Sequence, residues 1–497
     1  MKRLLAMMLA LTLVMSLFVG CGKKEEGTTD PKTEGTTQET TTEKEDPVEL
    51  IWYTIGTPQQ DMGMVNDKLN EYLLEKINAT VKITQFDWGE YTQKMQVKIA
   101  SGEPFDLMFT CSWANDYATN VARGALLPLN DLVDEYAPAV KENLNPLFLE
   151  GAAVNGEIYA LPTNKELGWQ AMWIFNKDLV DKYDMDLSQV SDLESLEPLL
   201  QVIKENEPEI LPLAFDKDGG PFIRMDGGIL GDTSPFVIEF DGDTIINKYT
   251  TDTFKEIAKT MHRYSELGYM HPDRTVSLTR DIKQAGKYFV AKAHYQPYAE
   301  IVWQNNVFSS TPIELVPVHE PFANNGSTRG AMQGISVTSE HPEKTMEFLN
   351  LLYTDEYVIN LIDYGVEDVH YEVLDETHIA RTEQGNNNYN FPAFSVGNLF
   401  NTYSFEGTPD DKWEKFEEFN DACVQAPTLG FTPDFEPYKM QLASITNVNE
   451  EYWASISLGL VDPEEYLPQV NEKLEAAGIN EVIEGLQAQY DEWLSTK

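Results

Sequence analysis

The sequence predicts an α/β fold built on mostly parallel β-sheets. The first observation is the alternation of strand and helix patterns between residues 48 and 110. The second is composition, because 42% of the residues are hydrophobic and 11% are aromatic, which allows large cores to be buried. The third is the length of 497 residues, which is enough for two or three domains after removal of a targeting segment.

The strand and helix patterns alternate in the order β-α-β-α-β. Residues 48–54 are β-branched and aromatic, which is typical of a strand. Apolar residues at helical spacing follow up to Ile77, residues 81–86 form a second strand pattern, and residues 91–100 are partly amphipathic. Residues 105–110 form a third strand pattern. Strands joined in this way run parallel with right-handed crossovers, and ligands bind beyond their carboxyl ends.

The chain begins with the features of a bacterial export signal, which we assign to residues 1–20. Lys2 and Arg3 form a basic head, and residues 4–19 form a mostly apolar run. This run is too short to cross a membrane comfortably. The mature protein is therefore expected to work outside the cytoplasm.

Residues 18–21 resemble the end of a lipoprotein signal, in which the cysteine is lipidated and becomes the new N-terminus. Cys21 is that residue here, and Phe18 stands where the pattern usually has Leu. The alternative is a secretory signal that ends in a chance cysteine. Residues 21–47 are rich in Thr, Glu, Lys and Gly, so we expect a disordered tether between an acyl anchor and the globular body.

The charge of the chain excludes several classes of partner. The sequence has 36 basic and 82 acidic residues, a formal net charge of -46. Such a surface repels nucleic acid, and anionic ligands would need a local basic pocket. Most of this charge is expected to keep the surface solvated. After Cys21 the sequence has two cysteines, Cys111 and Cys423, which we expect to be free thiols.

Several segments, in the same order, resemble the extracellular solute-binding proteins of ABC importers, near the maltose-binding group. The resemblance covers about residues 48–365, and residues 364–497 resemble the longer C-terminal region of a Gram-positive subgroup of these lipoproteins. The matching segments are residues 100–107, like A-x-G-x-x-P-D-(I/V), residues 124–129, like G-x-L-x-P-L, residues 156–162, like G-x-x-Y-(A/G)-(L/V)-P, residues 174–179, like (L/I)-x-Y-N-K-x-L with Phe175 in place of Tyr, and residues 346–350 and 352–356, like A-x-x-F-(L/I) and (L/F)-x-(T/S)-x-E.

The resemblance implies a two-lobed, periplasmic-binding-protein-like fold of type II, with a mostly parallel sheet flanked by helices in each lobe and a ligand cleft between the lobes. We expect residues 48–164 and 330–365 in the first lobe, and residues 165–329 and 366–497 in the second. The family expectation is a monomer that delivers its ligand to ABC permease subunits.

The chain is expected to cross between the lobes three times. The crossings should fall near residues 160–168, residues 324–329 and Gly365. Further helices are expected in residues 254–267, 342–352, 413–423 and 468–477, with Gly478 ending the last one.

The search for catalytic and cofactor motifs gives negative results. The sequence has no G-x-G-x-x-G, phosphate loop, G-x-S-x-G or H-E-x-x-H motif. Its seven histidines do not pair with a cysteine at metal-ligand spacing. We therefore expect no enzyme activity, no cofactor and no metal. Acidic residues are too numerous for a glycosidase pair to be identified or excluded, so a surface-anchored glycan hydrolase stays the alternative.

Aromatic residues beside polar residues at strand ends indicate a sugar-binding site. Ring faces cover the apolar C–H face of a pyranose, while carboxylates and amides bind its hydroxyl groups. Trp113 and Asp116 follow the third strand, where the resembling family places an aromatic residue and an Asp against its sugar. The alternative for Trp113 is packing beneath the loop.

Further candidates lie near the expected crossings. Lys165, Glu166 and Trp169 lie at the first one, where the resemblance places cleft residues, and a solvated hinge is the alternative for the two charged residues. Residues 293–298 match the family segment whose aromatic residue stacks on sugar, which makes Tyr298 the candidate in the second lobe. For the remaining candidates a purely structural role is favoured; they are Gln333, Tyr364, Glu367, Asn398 and Asn401.

The sequence thus favours a lipid-anchored extracellular binding protein of an ABC importer that captures a carbohydrate, with an oligosaccharide preferred. The alternatives are the glycan hydrolase and a binding protein for a different solute, such as a peptide.

Overall fold

The computed structural model of the protein describes residues 46–217, 219–231, 233–308 and 311–497. The expected signal, Cys21 and the tether up to residue 45 lie outside this part of the chain. The strands are β1 (Val48–Ile55), β2 (Ala79–Phe86), β3 (Leu107–Thr110), β4 (Ala153–Val154), β5 (Glu157–Ile158), β6 (Leu161–Pro162), β7 (Ala171–Asn176), β8 (Leu211–Leu213), β9 (Phe236–Val237), β10 (Ile246–Asn247), β11 (Tyr288–His294), β12 (Ile313–Pro317), β13 (Phe322–Ala323), β14 (Met332–Ile335), β15 (Tyr371–Val373), β16 (His378–Arg381), β17 (Ser404–Phe405) and β18 (Val424–Gln425).

The α-helices alternate with these strands in the first half of the chain and dominate its C-terminal part. They are α1 (Met62–Lys76), α2 (Tyr91–Ser101), α3 (Tyr117–Ala122), α4 (Asn130–Tyr136), α5 (Pro138–Asn143), α6 (Pro146–Ala152), α7 (Lys177–Lys182), α8 (Glu197–Asn206), α9 (Asp252–Glu266), α10 (Thr279–Gln284), α11 (Ala299–Asn306), α12 (Asn325–Thr328), α13 (Pro342–Thr354), α14 (Glu356–Tyr364), α15 (Glu383–Asn388), α16 (Lys412–Asp421), α17 (Lys439–Ser457), α18 (Pro463–Ala476) and α19 (Ile479–Leu494). Within the described residues, we find no helix that combines the length and the apolar character needed to cross a membrane.

The first large sheet has the strand order β2-β1-β3-β14-β6. Strands β1, β2 and β3 are parallel, as the β-α-β-α-β pattern predicts. Strand β14 runs against both of its neighbours, β3 and β6. Four of the five strands therefore share one direction, and their carboxyl ends meet at one edge of the sheet.

The second large sheet has the strand order β12-β7-β11-β8. Strand β11 is parallel to β8, and both β11 and β12 are antiparallel to β7. Strand β7 is thus the reversed strand of this sheet, as β14 is of the first. In each sheet, the reversed strand is the first one formed after the chain arrives from the other sheet. The predicted two-lobed α/β architecture is confirmed. The sheets are mostly parallel in strand direction but not in pairing, since two of the three strand pairs in the second sheet are antiparallel.

Three chain segments run side by side between the two sheets. The first leads from β6 to β7, the second leads from β12 through β13 to β14, and the third contains α16 and β18. The side chain of Asn420 joins the third segment to the first: its Nδ2 donates to Lys165 O at 2.9 Å, and its Oδ1 accepts from the N–H of Leu167 at 2.7 Å. Strands β13 and β18 join the third segment to the second by parallel pairing.

The sequence expectation places the third crossing near Gly365, but the contacts of the residues that follow favour a later position. Tyr389, Phe391 and Val396 pack in the hydrophobic core of the first sheet, and the hydroxyl of Tyr389 donates to the carbonyl of Ile362 at 2.7 Å. These contacts hold the chain after Gly365 on the first sheet. We therefore propose that residues 366–405 belong to the first lobe, and the other expected lobe boundaries stay predictions.

The three C-terminal helices α17, α18 and α19 share a core with α9 and with the loops that precede it. This core includes Phe254, Ile445, Val470 and Leu486. Because Met261 of α9 also packs in the core of the second sheet, the core of these helices adjoins that of the second sheet. The predicted free thiols are confirmed, since Cys111 and Cys423 are not bonded to each other.

Three of the four further helices lie within two residues of their expected ends, as α9, α13 and α16. Helix α18 instead begins five residues earlier than expected, at Pro463. The side chain of Asp462 caps it by accepting from the N–H of Glu464 at 2.9 Å. Pro468 therefore lies inside the helix, whereas the sequence pattern predicts it at the helix start. Gly478, with φ of 91°, follows the helix end as predicted.

Candidate ligand-binding site

A cavity of about 1570 Å³ lies between the edges of the two large sheets. Trp113, which follows β3, lines one wall, and Trp169, which precedes β7, lines another. Ala171 at the start of β7 pairs with His294 at the end of β11, so both belong to the edge where the parallel strands of the second sheet end. The volume exceeds the range of about 300–1,000 Å³ that is usual for drug-sized ligands. The site therefore has room for a large ligand.

Five of the eleven predicted ligand-binding residues line this cavity. They are Trp113, Asp116, Lys165, Glu166 and Trp169. They come from the loop after β3 and from the first connecting segment, two places that are far apart in the sequence.

The ring of Trp113 does not pack beneath its loop, because 53% of the residue is exposed. Its Nε1 donates to Gly330 O at 2.8 Å, which ties it to the segment that leads into β14. Its ring centroid lies 6.4 Å from that of Phe394, which also lines the cavity. The indole is thus fixed in position while much of its surface faces solvent.

Asp116 both caps a helix and faces the cavity. Its Oδ1 accepts from the N–H of Thr119 at 2.8 Å at the start of α3. Its Oδ2 makes no hydrogen bond to the part of the chain that the structure describes. This oxygen can accept a hydrogen bond from a ligand hydroxyl group.

Trp169 lies in a group of aromatic rings on the second-lobe wall. Its ring centroid lies 5.0 Å from His294, 5.2 Å from Phe222 and 5.7 Å from both His319 and Phe322. The rings of Phe222 and His319 are themselves stacked at 3.9 Å. These ring contacts fix the position of the Trp169 indole at the cavity wall.

Both ring nitrogens of the buried His319 have partners that fit a neutral imidazole. Nε2 accepts from the N–H of Ala171 at 3.0 Å, and Nδ1 lies 2.6 Å from Glu320 O. The tautomer with its proton on Nδ1 satisfies both contacts. Burial lowers the pKa of His319 to about 4, so the ring is neutral at neutral pH.

The cavity is electrically balanced although the protein is strongly acidic. Lys165 and Glu166 form an ion pair at 2.5 Å, with 13% and 21% of their side chains exposed. Among the described residues that line the cavity, four are acidic and four are basic: Asp116, Glu166, Asp434 and Glu436, and Arg123, Lys165, Arg329 and Lys439. This balance favours a ligand without net charge.

Arg329 is a buried cation at the cavity wall. Its Nε donates to Gly151 O at 2.6 Å, and its Nη2 donates to Thr432 Oγ1 at 2.8 Å and to Ala153 O at 3.2 Å. Burial lowers the pKa of the guanidinium to about 10, which leaves it charged at neutral pH. Arg329 thereby joins the first lobe to the segment that leads into α17.

Tyr298 does not reach the cavity. It precedes α11 with φ of 63°, and its hydroxyl donates to Asp411 Oδ1 at 2.5 Å. His294, four residues earlier at the end of β11, lines the cavity in its place. The family segment thus contributes a ring to the site, but from a different residue than expected.

The five other candidates have structural surroundings away from the cavity. Gln333 is buried between Trp52 Nε1, at 3.0 Å, and Ser395 O, at 2.8 Å. The hydroxyl of Tyr364 donates to Tyr403 O at 2.7 Å. Asn398 accepts from Asn164 Nδ2 at 2.9 Å, and Glu367 is exposed. For Asn401, Nδ2 donates to Tyr353 O at 2.9 Å.

Among the cavity-lining residues that sequence reasoning missed are His294, Arg329 and Phe394. His294 stood in the quoted family segment, at the end of a strand pattern. Arg329 lies in the segment where the return crossing is expected. A basic residue there, in a chain this acidic, could have identified it as a candidate. Phe394 carried no local signal, because its place depends on how the chain folds back after Gly365.

Two sequence profiles match the chain. The profile of the bacterial extracellular solute-binding proteins matches residues 62–359. A second profile, described as a domain of unknown function, matches residues 427–495, which contain α17, α18 and α19.

Two curated relatives come from Streptococcus pneumoniae. A carbohydrate ABC transporter substrate-binding protein is 31% identical over 453 residues, which are 90% of this chain and 91% of the relative. A fructooligosaccharide ABC transporter substrate-binding protein, FusA, is 25% identical over 344 residues, which are 62% of this chain and 59% of the relative.

Solved structures share the fold. The N-glycan transport solute-binding protein NgtS from Streptococcus pneumoniae has a TM-score of 0.82 at 30% identity, with 90% of this chain and 99% of NgtS covered. At the same identity and coverage, the NgtS complexes with Man1GlcNAc and Man5GlcNAc have TM-scores of 0.70 and 0.67. An HMO-binding solute-binding protein from Bifidobacterium longum infantis shares the fold at 15% identity, with a TM-score of 0.66 and 90% and 99% of the two chains covered.

These matches agree with the architecture. The family profile covers more than half of the chain, and the first pneumococcal relative matches nearly all of it. The predicted type II fold, with a cavity between two lobes, is confirmed by the likeness to NgtS. The chain therefore belongs to the bacterial extracellular solute-binding proteins.

Proposed function

We propose that this protein captures a carbohydrate outside the cytoplasm and delivers it to the permease of an ABC importer. The observation that carries the proposal is the cavity with an indole on each side, Trp113 from the first lobe and Trp169 at the second. Ring faces of this kind cover the apolar face of a sugar. Relatives named for carbohydrate and N-glycan transport support the same ligand class.

The ligand is an uncharged oligosaccharide. The cavity is larger than a pocket for a drug-sized ligand, and its described lining carries equal numbers of acidic and basic residues. An anionic ligand would meet unfavourable charge on most of the remaining surface, since the chain has a net charge of -46. The polar groups at the cavity, such as Asp116 Oδ2, bind hydroxyl groups.

Capture proceeds by closure of the two lobes around the ligand. One NgtS structure matches the present one with a TM-score of 0.82. The NgtS complexes with Man1GlcNAc and Man5GlcNAc match it with TM-scores of 0.70 and 0.67. Since identity and coverage are equal in the three comparisons, the conformation of NgtS differs among them, as a closure of two lobes would produce. A ligand that contacts both lobes favours the closed arrangement by its differential affinity.

The protein works as a monomer held at the outer face of the cell membrane by acyl chains on Cys21. The basic head, the apolar run and the lipoprotein-like residues 18–21 support the anchor. Replacing Cys21 with Ala tests it: the variant should be released into the medium, while the parent chain stays with the membrane fraction. Equal retention of both would contradict the anchor.

The ligand class is tested by thermal unfolding and titration calorimetry with Man1GlcNAc, Man5GlcNAc, a fructooligosaccharide, a short peptide and spermidine. We expect at least one saccharide to raise the melting temperature, because a ligand that binds the folded state stabilises it by mass action. A shift with the peptide or spermidine and with no saccharide would show that the carbohydrate proposal is wrong.

We propose that the protein binds its saccharide without cleaving it. Incubation with a labelled saccharide that binds should return the saccharide intact at any ratio to protein. Release of more than one equivalent of shortened product would instead support the glycan hydrolase. A pair of carboxylates about 5–10 Å apart across the cleft would then need to be identified.

A further inference from the structure

Trp88 is an exposed indole beside the cavity that the site described above does not use. All nine tryptophans lie in the described residues, and two of them are exposed: Trp88 at 45% and Trp113 at 53%. Their ring centroids are 6.3 Å apart, with 23° between the planes. Apolar surface exposed in such a patch marks a site of interaction.

The turn after β2 fixes the position of Trp88. Asp87 O accepts from the N–H of Tyr91 at 2.9 Å at the start of α2, and Trp88 lies within this turn. Its ring centroid is 6.2 Å from that of Phe394, with 17° between the planes. Since Phe394 and Trp113 both line the cavity, the three rings form one aromatic surface that continues from the cavity to its rim.

Trp88 is not needed to hold Trp113 in place. The hydrogen bond from Trp113 Nε1 to Gly330 O and the contact of its ring with Phe109, at 5.8 Å, do not involve Trp88. The Nε1 of Trp88 makes no hydrogen bond within the described part of the chain. The carboxylate of Asp87 is exposed beside it, so the rim offers a ring face, an N–H donor and an acceptor together.

We propose that Trp88, with Trp113 and Phe394, forms an outer saccharide subsite that binds sugar units projecting from the cavity. The inference rests on the proposed carbohydrate function and specifies it: the protein prefers a longer oligosaccharide over a short one with the same end. The inner units lie between the lobes, and the outer units lie along the aromatic rim of the first lobe.

Titration calorimetry with Man1GlcNAc and Man5GlcNAc tests the subsite in the full mature chain. The variants are Trp88→Ala and Trp88→Phe, with Phe405→Ala as the control. Phe405 is also an exposed aromatic residue, at 42%, but it packs on Tyr364 and does not line the cavity. We expect Trp88→Ala to weaken Man5GlcNAc binding by about tenfold and Man1GlcNAc binding by less than twofold. Trp88→Phe should recover part of the loss.

The other outcomes overturn the inference in distinguishable ways. Unchanged affinity for both saccharides in Trp88→Ala would mean that the rim does not bind sugar. An equal loss of affinity for the two saccharides would mean that Trp88 acts by positioning Trp113. In that case no outer subsite exists. Binding of neither saccharide by the parent chain, with binding of the peptide or spermidine, would remove the carbohydrate function and the subsite with it.

Discussion

The indole of Trp169 lies parallel to the imidazole of His319, with ring centroids 5.7 Å apart and 13° between the planes. Trp169 faces the cavity, while His319 is buried behind it. The role of Trp169 can therefore be tested by measuring ligand affinity, and the role of His319 by measuring the free energy of unfolding.

Replacing Trp169 with Ala should weaken saccharide binding by about 1–3 kcal/mol, because the ligand loses the apolar area that the indole removes from water. Titration calorimetry with a saccharide that binds the parent chain measures this loss, and urea unfolding measures stability. Phe405→Ala is the matched control and should leave affinity unchanged. Intact affinity in the Trp169 variant would show that the ring only supports the wall.

Replacing Tyr298 with Phe should leave affinity unchanged, since the residue does not line the cavity. The substitution removes the hydrogen bond to Asp411, which also raises the pKa of Tyr298 to about 12. We expect a lower melting temperature without a change in the dissociation constant. A weakened dissociation constant at unchanged melting temperature would support the original placement of Tyr298 in the site.

The neutral state of His319 should make stability depend on pH. Its pKa falls from an ordinary 6.5 to about 4 on folding, so the unfolded chain binds the proton more tightly. The stabilising contribution is therefore fully present above pH 6.5 and is lost as the pH falls towards 4, to a total of about 3 kcal/mol.

Urea unfolding of the parent chain and of His319→Gln, at intervals from pH 7.5 to pH 4.5, isolates this contribution. The difference in unfolding free energy between the two proteins should shrink as the pH falls, since Gln does not titrate. A difference that is constant over this range would show that His319 keeps an ordinary pKa in the folded protein.

Replacing Asn420 with Ala should lower the free energy of unfolding by about 1–3 kcal/mol, because the buried N–H of Leu167 loses its partner. Gln425→Ala is a suitable control, since the amide of the exposed Gln425 donates to the carboxylate of a partly exposed Glu150 instead. Urea unfolding of both variants measures the effect. Equal stability of the two would mean that the connecting segments do not depend on this side chain.

Local patterns predicted the parts of the fold and the site that depend on nearby residues. The order of β1, β2 and β3 follows from hydrophobic spacing, and Trp113 and Trp169 could be identified because aromatic residues flank strand ends. The same criterion also applies to Trp88, which follows β2. Tyr298 lies four residues after His294, whose ring lines the cavity, and a left-handed turn before α11 directs Tyr298 towards Asp411.

Contacts between distant residues could not be predicted in this way. The assignment of residues after Gly365 depended on where Tyr389 and Phe391 are buried, and both enter a core that is built by residues far earlier in the chain. Phe394 is close to Trp113 for the same reason. An apolar residue in a loop carries no sign of which of two available cores it will join.

The position of the reversed strand β14 in the sequence determines when the first sheet can be completed during synthesis. Within the described residues β6 has its hydrogen-bonded neighbour in β14, and about 170 residues separate the two along the chain. A nascent chain that emerges from its N-terminus cannot complete the first sheet until the whole second sheet has also emerged. A fragment that stops before residue 332 should therefore have an incomplete first sheet and be prone to aggregation.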